Sequence, residues 1–124
     1  MTQPLALLFY ERLLPGSQLL NRLQDLGYRV QNTAALPSLV ELARTSKPLL
    51  VFVDLRERLG QAATVIQALR QNAETNHLPV IAYAGEKDTT LQDSARQAGA
   101  SVVANEAALL QHLEQLMDQA LRFD

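Results

Sequence analysis

Two carboxylates follow apolar segments of the chain, at positions where they could do chemistry. Asp54 ends the run LLVFVD at residues 49–54, and Glu11 follows the run PLALLFY at residues 4–10. Hard cations such as Mg²⁺ accept oxygen ligands and keep several waters, so Glu11, Asp54 and a loop carbonyl could form a weak Mg²⁺ site. The alternative is that both carboxylates are simply solvated at the ends of strands.

The basic and histidine residues give weaker signals. Arg12, Arg56 and Lys87 lie in predicted loops near these carboxylates and could form ion pairs there, but isolated surface cations are usually solvated, and we interpret all three in that way. His77 lies in a polar loop and His112 on the last predicted helix, and the chain contains no cysteine. Because no second histidine stands at metal-ligand spacing from either one, we expect neither to bind a metal.

Patterns typical of other catalytic chemistry are missing. The segment RLLPGSQ, which follows the first apolar run, has one glycine and one serine, whereas a flavin or nucleotide phosphate needs several donors. The run AGASV at residues 98–102 lacks the glycine-flanked serine of a nucleophile elbow. The sequence therefore predicts a protein that is not an enzyme and has no cofactor.

Composition limits the class of protein. A chain of 124 residues fits one domain, residues 1–124, and 48% hydrophobic with 19% charged residues is ordinary for a globular protein. The 11 basic and 13 acidic residues give a net charge of -2, with the basic residues scattered, so nucleic-acid binding is disfavoured. No segment has the length of a membrane span or the pattern of a leader, and we expect a cytoplasmic protein.

Apolar runs predict the strands. Three of them are continuous, PLALLFY (4–10), LLVFVD (49–54) and PVIAYA (79–84), as is typical of parallel strands buried on both faces. The shorter YRVQ (28–31) and SVVA (101–104) are typical of edge strands. Helical patterns separate all five, which predicts a flavodoxin-like α/β fold, a doubly wound parallel sheet in the order 2-1-3-4-5 with helices on both faces.

Two helix boundaries are marked by capping residues. The fourth helix is predicted to begin near Asp88 or Thr89, because Thr89 and Gln92 have the spacing of a capping box, and to stop at Gly99. The fifth is predicted to follow Asn105, a good N-cap residue, and to run almost to the terminus as one helix.

The leucine-rich stripe on this last helix has two interpretations. It covers the sheet, as every helix in such a fold must. If Leu110, Leu113, Met117 and Phe123 extend beyond the buried arc, the surplus would form an apolar patch for a partner or for self-association.

The predicted topology gives Asp54 a location. In an open parallel sheet, the functional crevice lies beyond the carboxyl ends of the strands, where the winding reverses between strands 1 and 3. Asp54 ends strand 3 and should point into this crevice, with Tyr10 and Glu11 at the end of strand 1 and Ala84 at the end of strand 4. We interpret Tyr10 as a residue that fills space at the mouth of this crevice.

The order of elements, the VFVD ending, the LPVIAYAG strand and the ARQAGASVV segment together resemble the receiver domain (CheY-like) of bacterial two-component response regulators. The resemblance covers essentially the whole chain. It implies a phosphoacceptor aspartate after strand 3, two acids after strand 1 that hold Mg²⁺, a serine or threonine after strand 4 and a lysine after strand 5. The metal and the lysine neutralise the transferring phosphoryl group, and the hydroxyl holds one of its oxygens.

Carried over by position, the resemblance keeps Asp54 as the acceptor and Glu11 as one acid of the pair. The other positions are degenerate. Tyr10 stands where the family has the other acid, and Ala84 stands where it has the hydroxyl. The lysine position falls on Glu106, or on its neighbour Asn105 if the loop is one residue shorter. A phosphoryl group on Asp54 would therefore lack most of its compensating charge.

The resemblance implies a degenerate or pseudo-receiver. We expect phosphorylation-independent protein–protein interaction in signalling or transcriptional control, acting in trans because no output domain follows residue 124. The expected contact surface is the face of helix 4, strand 5 and helix 5, for a protein partner or a second copy. One alternative is a functional phosphoacceptor that uses Asp54 with Glu11 and Mg²⁺. Another is a small-molecule binder, for a nucleotide or flavin.

Overall fold

The computed structural model of the chain describes residues 3–122. Five strands are present, β1 (Leu5–Phe9), β2 (Arg29–Thr33), β3 (Leu50–Asp54), β4 (Val80–Ala84) and β5 (Val102–Asn105). The helices are α1 (Leu13–Asp25), α2 (Leu39–Ser46, after a 3₁₀ turn at Leu36–Ser38), α3 (Ala62–Gln71), α4 (Thr89–Ala98), α5 (Glu106–Gln111) and α6 (Leu113–Arg122).

All five strands pair in parallel, in the order β2-β1-β3-β4-β5. The predicted fold class and strand order are confirmed. The three central strands are almost wholly buried, which explains why their sequences are continuously apolar, and β2, at one edge, carries the polar sequence RVQNT.

Two apolar layers cover the sheet. One joins β1, β3 and β4 to α1, α5 and α6, and its buried residues include Leu19, Leu23 and Leu109. The other joins the opposite faces of the strands to α2, α3 and α4. Side chains alternate along a strand, so Leu50, Phe52 and therefore Asp54 project towards the layer of α1, α5 and α6.

The last helix differs from the prediction. It is interrupted at His112, where φ is -124° and ψ is 34°, and forms α5 and α6 instead of one helix. At this break the Arg22 guanidinium donates a hydrogen bond of 2.9 Å to the Leu110 carbonyl oxygen. The buried residues Leu109, Leu113 and Met117 keep a spacing of four across the break, so the apolar pattern gives no sign of it.

The start of α4 was also predicted only in part. The helix begins at Thr89, but the predicted capping box does not form there. Asp88 accepts a hydrogen bond from the Gly85 amide at 2.8 Å, and the Gln92 side chain donates to the Gly85 carbonyl at 2.9 Å. These two bonds fold the β4–α4 loop back on itself. At the other end Gly99 adopts φ 109°, a left-handed conformation that glycine accepts at low cost.

The stripe on α5 and α6 belongs largely to the core. Leu113 and Met117 are buried against the sheet, Leu110 is half-buried, and Phe123 lies outside the described residues. No helix in residues 3–122 is both long enough and apolar enough to cross a membrane.

Candidate functional site

Asp54 lies at the edge of the sheet formed by the carboxyl ends of the strands, called here the carboxyl edge. Its side chain is fully buried, and both carboxylate oxygens accept hydrogen bonds. Oδ1 accepts from Arg12 Nη2 at 2.8 Å and from the Arg56 amide at 3.0 Å, while Oδ2 accepts from Arg12 Nε at 3.0 Å. Both oxygens of the carboxylate are therefore hydrogen-bonded to groups of the chain itself.

Arg12 also reaches a second carboxylate. Its Nη2 donates to Glu106 Oε1 at 2.5 Å, so one guanidinium joins the β1–α1 loop, the end of β3 and the start of α5. We call Arg12, Asp54 and Glu106 the arginine triad. The two parallel bonds to Asp54 give the pair a fixed orientation, which a lysine ammonium does not provide.

Burial and ion pairing act in opposite directions in the triad. Burial lowers the pKa of the Arg12 guanidinium, but its hydrogen bonds to Asp54 and Glu106 raise that pKa by more, and the group stays charged. Burial raises the pKa of the Asp54 carboxyl, and the hydrogen bonds from Arg12 and the Arg56 amide limit the rise. With one cation and two carboxylates, the triad depends on Arg12 for all of its side-chain positive charge.

Tyr83 lies opposite Asp54 in the register of β3 and β4. Its side chain is fully buried, and its hydroxyl has no hydrogen-bond partner within the described part of the chain. Burial, followed by the negative charge of Asp54, raises the pKa of the Tyr83 phenol. The hydroxyl therefore stays protonated beside the triad.

Glu11 is bound by Arg58. Its carboxylate accepts hydrogen bonds from the Arg58 amide at 2.9 Å and from Arg58 Nε at 3.4 Å, which joins the β1–α1 loop to the β3–α3 loop. Within residues 3–122, no three acidic or histidine side chains gather in a way that could hold a metal ion. The described residues therefore do not fit Mg²⁺ well, since Asp54 is already held by a guanidinium and Glu11 by another arginine.

Tyr10 agrees with its interpretation as a space-filling residue. Its ring packs over Gly16, where an added Cβ would lie 2.3 Å from a ring carbon, and its hydroxyl accepts a hydrogen bond of 3.3 Å from Nδ2 of the Asn32 side chain. The ring therefore occupies the space beside Gly16, near the start of α1.

Two further predicted positions have structural roles. Ala84 is fully buried in the layer of α2, α3 and α4, and pairs with Asn105 across β4 and β5. The Asn105 side chain accepts a hydrogen bond of 2.8 Å from the Ala108 amide, so it caps α5 as the sequence predicts. This cap places Glu106 at the first position of α5, within reach of Arg12.

The interpretation of the cations as solvated surface residues was wrong for Arg12. Arg56 does lie largely in solvent, with its side chain 3.6 Å from Asp88, and Lys87 is exposed. A sequence signal that could have identified Arg12 is the replacement of a basic residue by an acidic one at this edge. An acid at Glu106, where the resembled family has lysine, leaves two carboxylates at one edge, and a buried pair of that kind requires a nearby cation.

Structural comparisons identify the fold. A protein from Chloroflexus aurantiacus J-10-fl, provisionally described as a response regulator, superimposes with a TM-score of 0.88 and 18% identity, over 98% of this chain and 99% of its own. The receiver domain of the sensor histidine kinase PA1611 from Pseudomonas aeruginosa PAO1, solved with magnesium in its active-site cleft, has a TM-score of 0.86 and 17% identity, over 98% and 99% of the two chains.

The receiver domain of NtrX from Brucella abortus is a third similar structure, with a TM-score of 0.82 and 18% identity over 96% of this chain and 99% of that one. No protein-family model and no curated protein matches the sequence. At these identities the likeness establishes the receiver-domain fold, as the sequence resemblance implied.

Proposed function

We propose that this chain is a receiver-like signalling domain that acts through contacts with another protein, in the cytoplasm, without accepting a phosphoryl group and without catalysing a reaction. The receiver-domain fold supports a place in signalling. The arginine triad supports independence from phosphorylation, and it is the observation that carries the proposal.

Phosphoryl transfer to an aspartate needs a free carboxylate oxygen and positive charge arranged around the incoming group. Both Asp54 oxygens are covered by Arg12, and the carboxylate is buried. Glu106 contacts the same guanidinium, so a phosphoryl group on Asp54 would add negative charge beside an existing carboxylate. Ala84 supplies no hydroxyl to hold a phosphoryl oxygen. These features make a stable phosphorylated state unfavourable.

We also propose that Mg²⁺ is not a working cofactor of this chain. A divalent cation at Asp54 would have to displace the Arg12 guanidinium or lie beside it, and both choices cost electrostatic free energy. The hydrogen bonds from Glu11 to Arg58 would have to break before Glu11 could act as a ligand.

The second candidate is a working phosphoacceptor. One observation favours it, namely that Arg12 places a positive charge beside Asp54, where it could neutralise a phosphoryl group. For Arg12 to do so, its two hydrogen bonds to Asp54 would have to rearrange. Binding of a nucleotide or flavin has less support, because the Tyr10 ring packs against Gly16, near the start of α1, where a phosphate would otherwise approach the backbone.

The face of α4, β5 and α5 is proposed as one contact surface for the partner, following the resembled family. Its composition is compatible with this role. Only Ala95 of α4 is fully buried, and Val103 and Ala104 of β5 and Leu110 of α5 are half-buried apolar residues. A second copy of the chain is the other occupant that this face could accept.

Fluorine NMR with beryllofluoride, a mimic of the phosphoryl group, tests the proposal. We expect no protein-bound fluorine signal when Mg²⁺ and beryllofluoride are added to the wild-type protein. The control is a receiver domain known to bind beryllofluoride under the same conditions. A bound signal that disappears in Asp54→Asn would overturn the proposal and support the second candidate.

A further inference from the structure

A groove lies between the end of α1 and α6. Two cavities form it, of about 310 and 140 Å³, and they share Leu26 and Glu114 as lining residues. Leu26 directly follows the last residue of α1, and Glu114 lies in the first turn of α6. No residue of the arginine triad lines either cavity. The groove is therefore one surface between two helices and is separate from the candidate site.

Part of the lining of this groove is apolar. Leu113 and Met117 of α6 line it and are nearly buried, while Tyr28 and Leu121 are half-buried along it. Leu26 is more open, with 39% of its surface in solvent. An exposed leucine beside half-buried apolar residues offers a partner continuous apolar contact, which an isolated surface leucine does not.

The charged side chains that line the groove are mostly acidic. They are the carboxylates of Asp25, Glu114 and Asp118 and the guanidinium of Arg22. None of the three carboxylates forms an ion pair within residues 3–122. Arg22 donates a hydrogen bond of 2.9 Å to the Leu110 carbonyl oxygen. The groove therefore has an excess of negative charge that the described part of the chain leaves unpaired.

Two other arginines follow lining residues in the sequence but do not neutralise this charge. Arg29 and Arg122 line neither cavity, and neither pairs with a carboxylate of the groove. The Arg29 guanidinium instead donates a hydrogen bond of 3.2 Å to the Gln3 carbonyl oxygen.

Two of the carboxylates also act on their surroundings. Asp25 is the last residue of α1, where the backbone carbonyls already give the helix end a partial negative charge, so a carboxylate there is unfavourable until a cation approaches. Burial, followed by the negative charge of Asp118 on α6, raises the pKa of the Tyr28 phenol. Negative potential from both helices therefore reaches the apolar lining.

We propose that this groove binds a basic amphipathic helix of a partner protein. Leucines on one face of such a helix would contact Leu26 and Leu121, and lysines or arginines beside them would meet Glu114 and Asp118. Complementary charge of this kind selects partners and speeds association. The inference rests on the proposed function, to which it adds a contact surface and the chemistry of the partner.

The test uses two synthetic helical peptides with the same leucines on one face, one with lysine and the other with glutamate on the polar face. Each is titrated into the ¹⁵N-labelled full chain while backbone amide shifts are followed. We expect the lysine peptide to shift amides in residues 22–28 and 111–121, with an affinity that falls as salt is added. We expect the glutamate peptide to bind at least about tenfold more weakly.

A pair of leucine variants locates the apolar contact. Leu26→Ser should weaken binding of the lysine peptide at least about threefold, because the exposed part of this leucine would be buried by the peptide. Leu49→Ser is the matched control. Leu49 has a similar exposure of 41% and lines neither cavity, so its loss should leave binding unchanged.

A pair of double variants locates the charge. Glu114→Gln combined with Asp118→Asn should weaken binding of the lysine peptide at least about fivefold. The control, Glu41→Gln combined with Asp93→Asn, removes the same charge from α2 and α4, and we expect less than about a twofold change.

Four results of these titrations would each overturn the inference: equal binding of both peptides, shifts centred on the α4–β5–α5 face, equal losses in the test and control variants, or no shifts at the highest soluble peptide concentration. Sedimentation as a dimer that Leu26→Ser abolishes would also overturn it, because a second copy would then occupy the groove.

Beryllofluoride with Mg²⁺ is added to a separate sample of the same labelled protein. Shifts at Asp54 in that sample would contradict the proposed function, whereas failure of the lysine peptide alone would contradict only the inference about the groove.

Discussion

The guanidinium of Arg12 donates two hydrogen bonds, of 2.8 and 3.0 Å, to the carboxylate of Asp54. In the family that this chain resembles, that carboxylate is the phosphoacceptor and is served by a metal ion and a lysine. Here the Arg12 side chain contacts both oxygens of Asp54. A third residue, Glu106, contributes a carboxylate where the family has a cation. The receiver architecture is kept while the charge pattern of its reactive edge is rearranged.

Removal of Arg12 should destabilise the protein. Arg12→Met leaves Asp54 buried without its cation, and we expect the free energy of unfolding to fall by roughly 2 to 4 kcal/mol, somewhat less than for a wholly buried pair because Arg12 is 28% exposed. Urea unfolding followed by circular dichroism measures the change. The matched control is Arg58→Met, which we expect to change the free energy by less than about 0.5 kcal/mol. Equal losses in the two variants would contradict the account.

The pKa of Asp54 should lie above its ordinary value, because burial outweighs the effect of its hydrogen bonds. The folded protein then binds this proton more tightly than the unfolded chain does. The contribution of Asp54 to the free energy of unfolding should therefore be fully present below the ordinary aspartate pKa and should be lost as pH rises through the folded-state pKa.

Titration of the Asp54 carboxyl by carbon-13 NMR checks this prediction, and the pH dependence of unfolding for wild type and Asp54→Asn checks its linkage to stability. In Arg12→Met the pKa should rise further, because the guanidinium that limits the rise is gone. A pKa below the ordinary aspartate value in the wild type would show that the ion pair outweighs burial.

The Tyr83 hydroxyl should be dispensable for stability. It is buried without a hydrogen-bond partner in the described structure, so Tyr83→Phe removes a desolvated polar group and keeps the ring. We expect the free energy of unfolding to stay unchanged or to rise by up to about 1 kcal/mol. Thermal unfolding measures it. A loss of more than about 1 kcal/mol would instead mean that the hydroxyl has a partner, such as a bound water.

Arg70 should be one of the most important charged residues for stability outside the triad. Its guanidinium donates to the carbonyls of Leu78 at 2.6 Å and Gly99 at 2.7 Å and to the Ser101 hydroxyl at 2.8 Å, joining α3 to the segment before β4 and to the turn between α4 and β5. Arg70→Leu should lower the free energy of unfolding by about 2 to 3 kcal/mol. Arg96→Leu, which loses only an exposed pair, is the control and should lose less than about 0.5 kcal/mol.

The sheet could be predicted because burial on both faces makes β1, β3 and β4 continuously apolar, and the position of Asp54 followed from its place at the end of β3. The break at His112 could not, because the buried leucines keep their spacing on both sides of it. The triad was missed for a related reason. A sequence shows which charges lie near an edge, but the pairing of Arg12 with Asp54 depends on side-chain geometry that no periodicity encodes.

The most direct test of the central claim is intact-mass spectrometry after incubation with acetyl phosphate and Mg²⁺. Wild type and Asp54→Asn are treated side by side, together with a receiver domain that is phosphorylated under these conditions. If Arg12 closes off Asp54, the wild-type mass will stay unchanged while the reference receiver gains a phosphoryl group. A phosphoryl adduct on the wild type that is absent from Asp54→Asn would contradict the account.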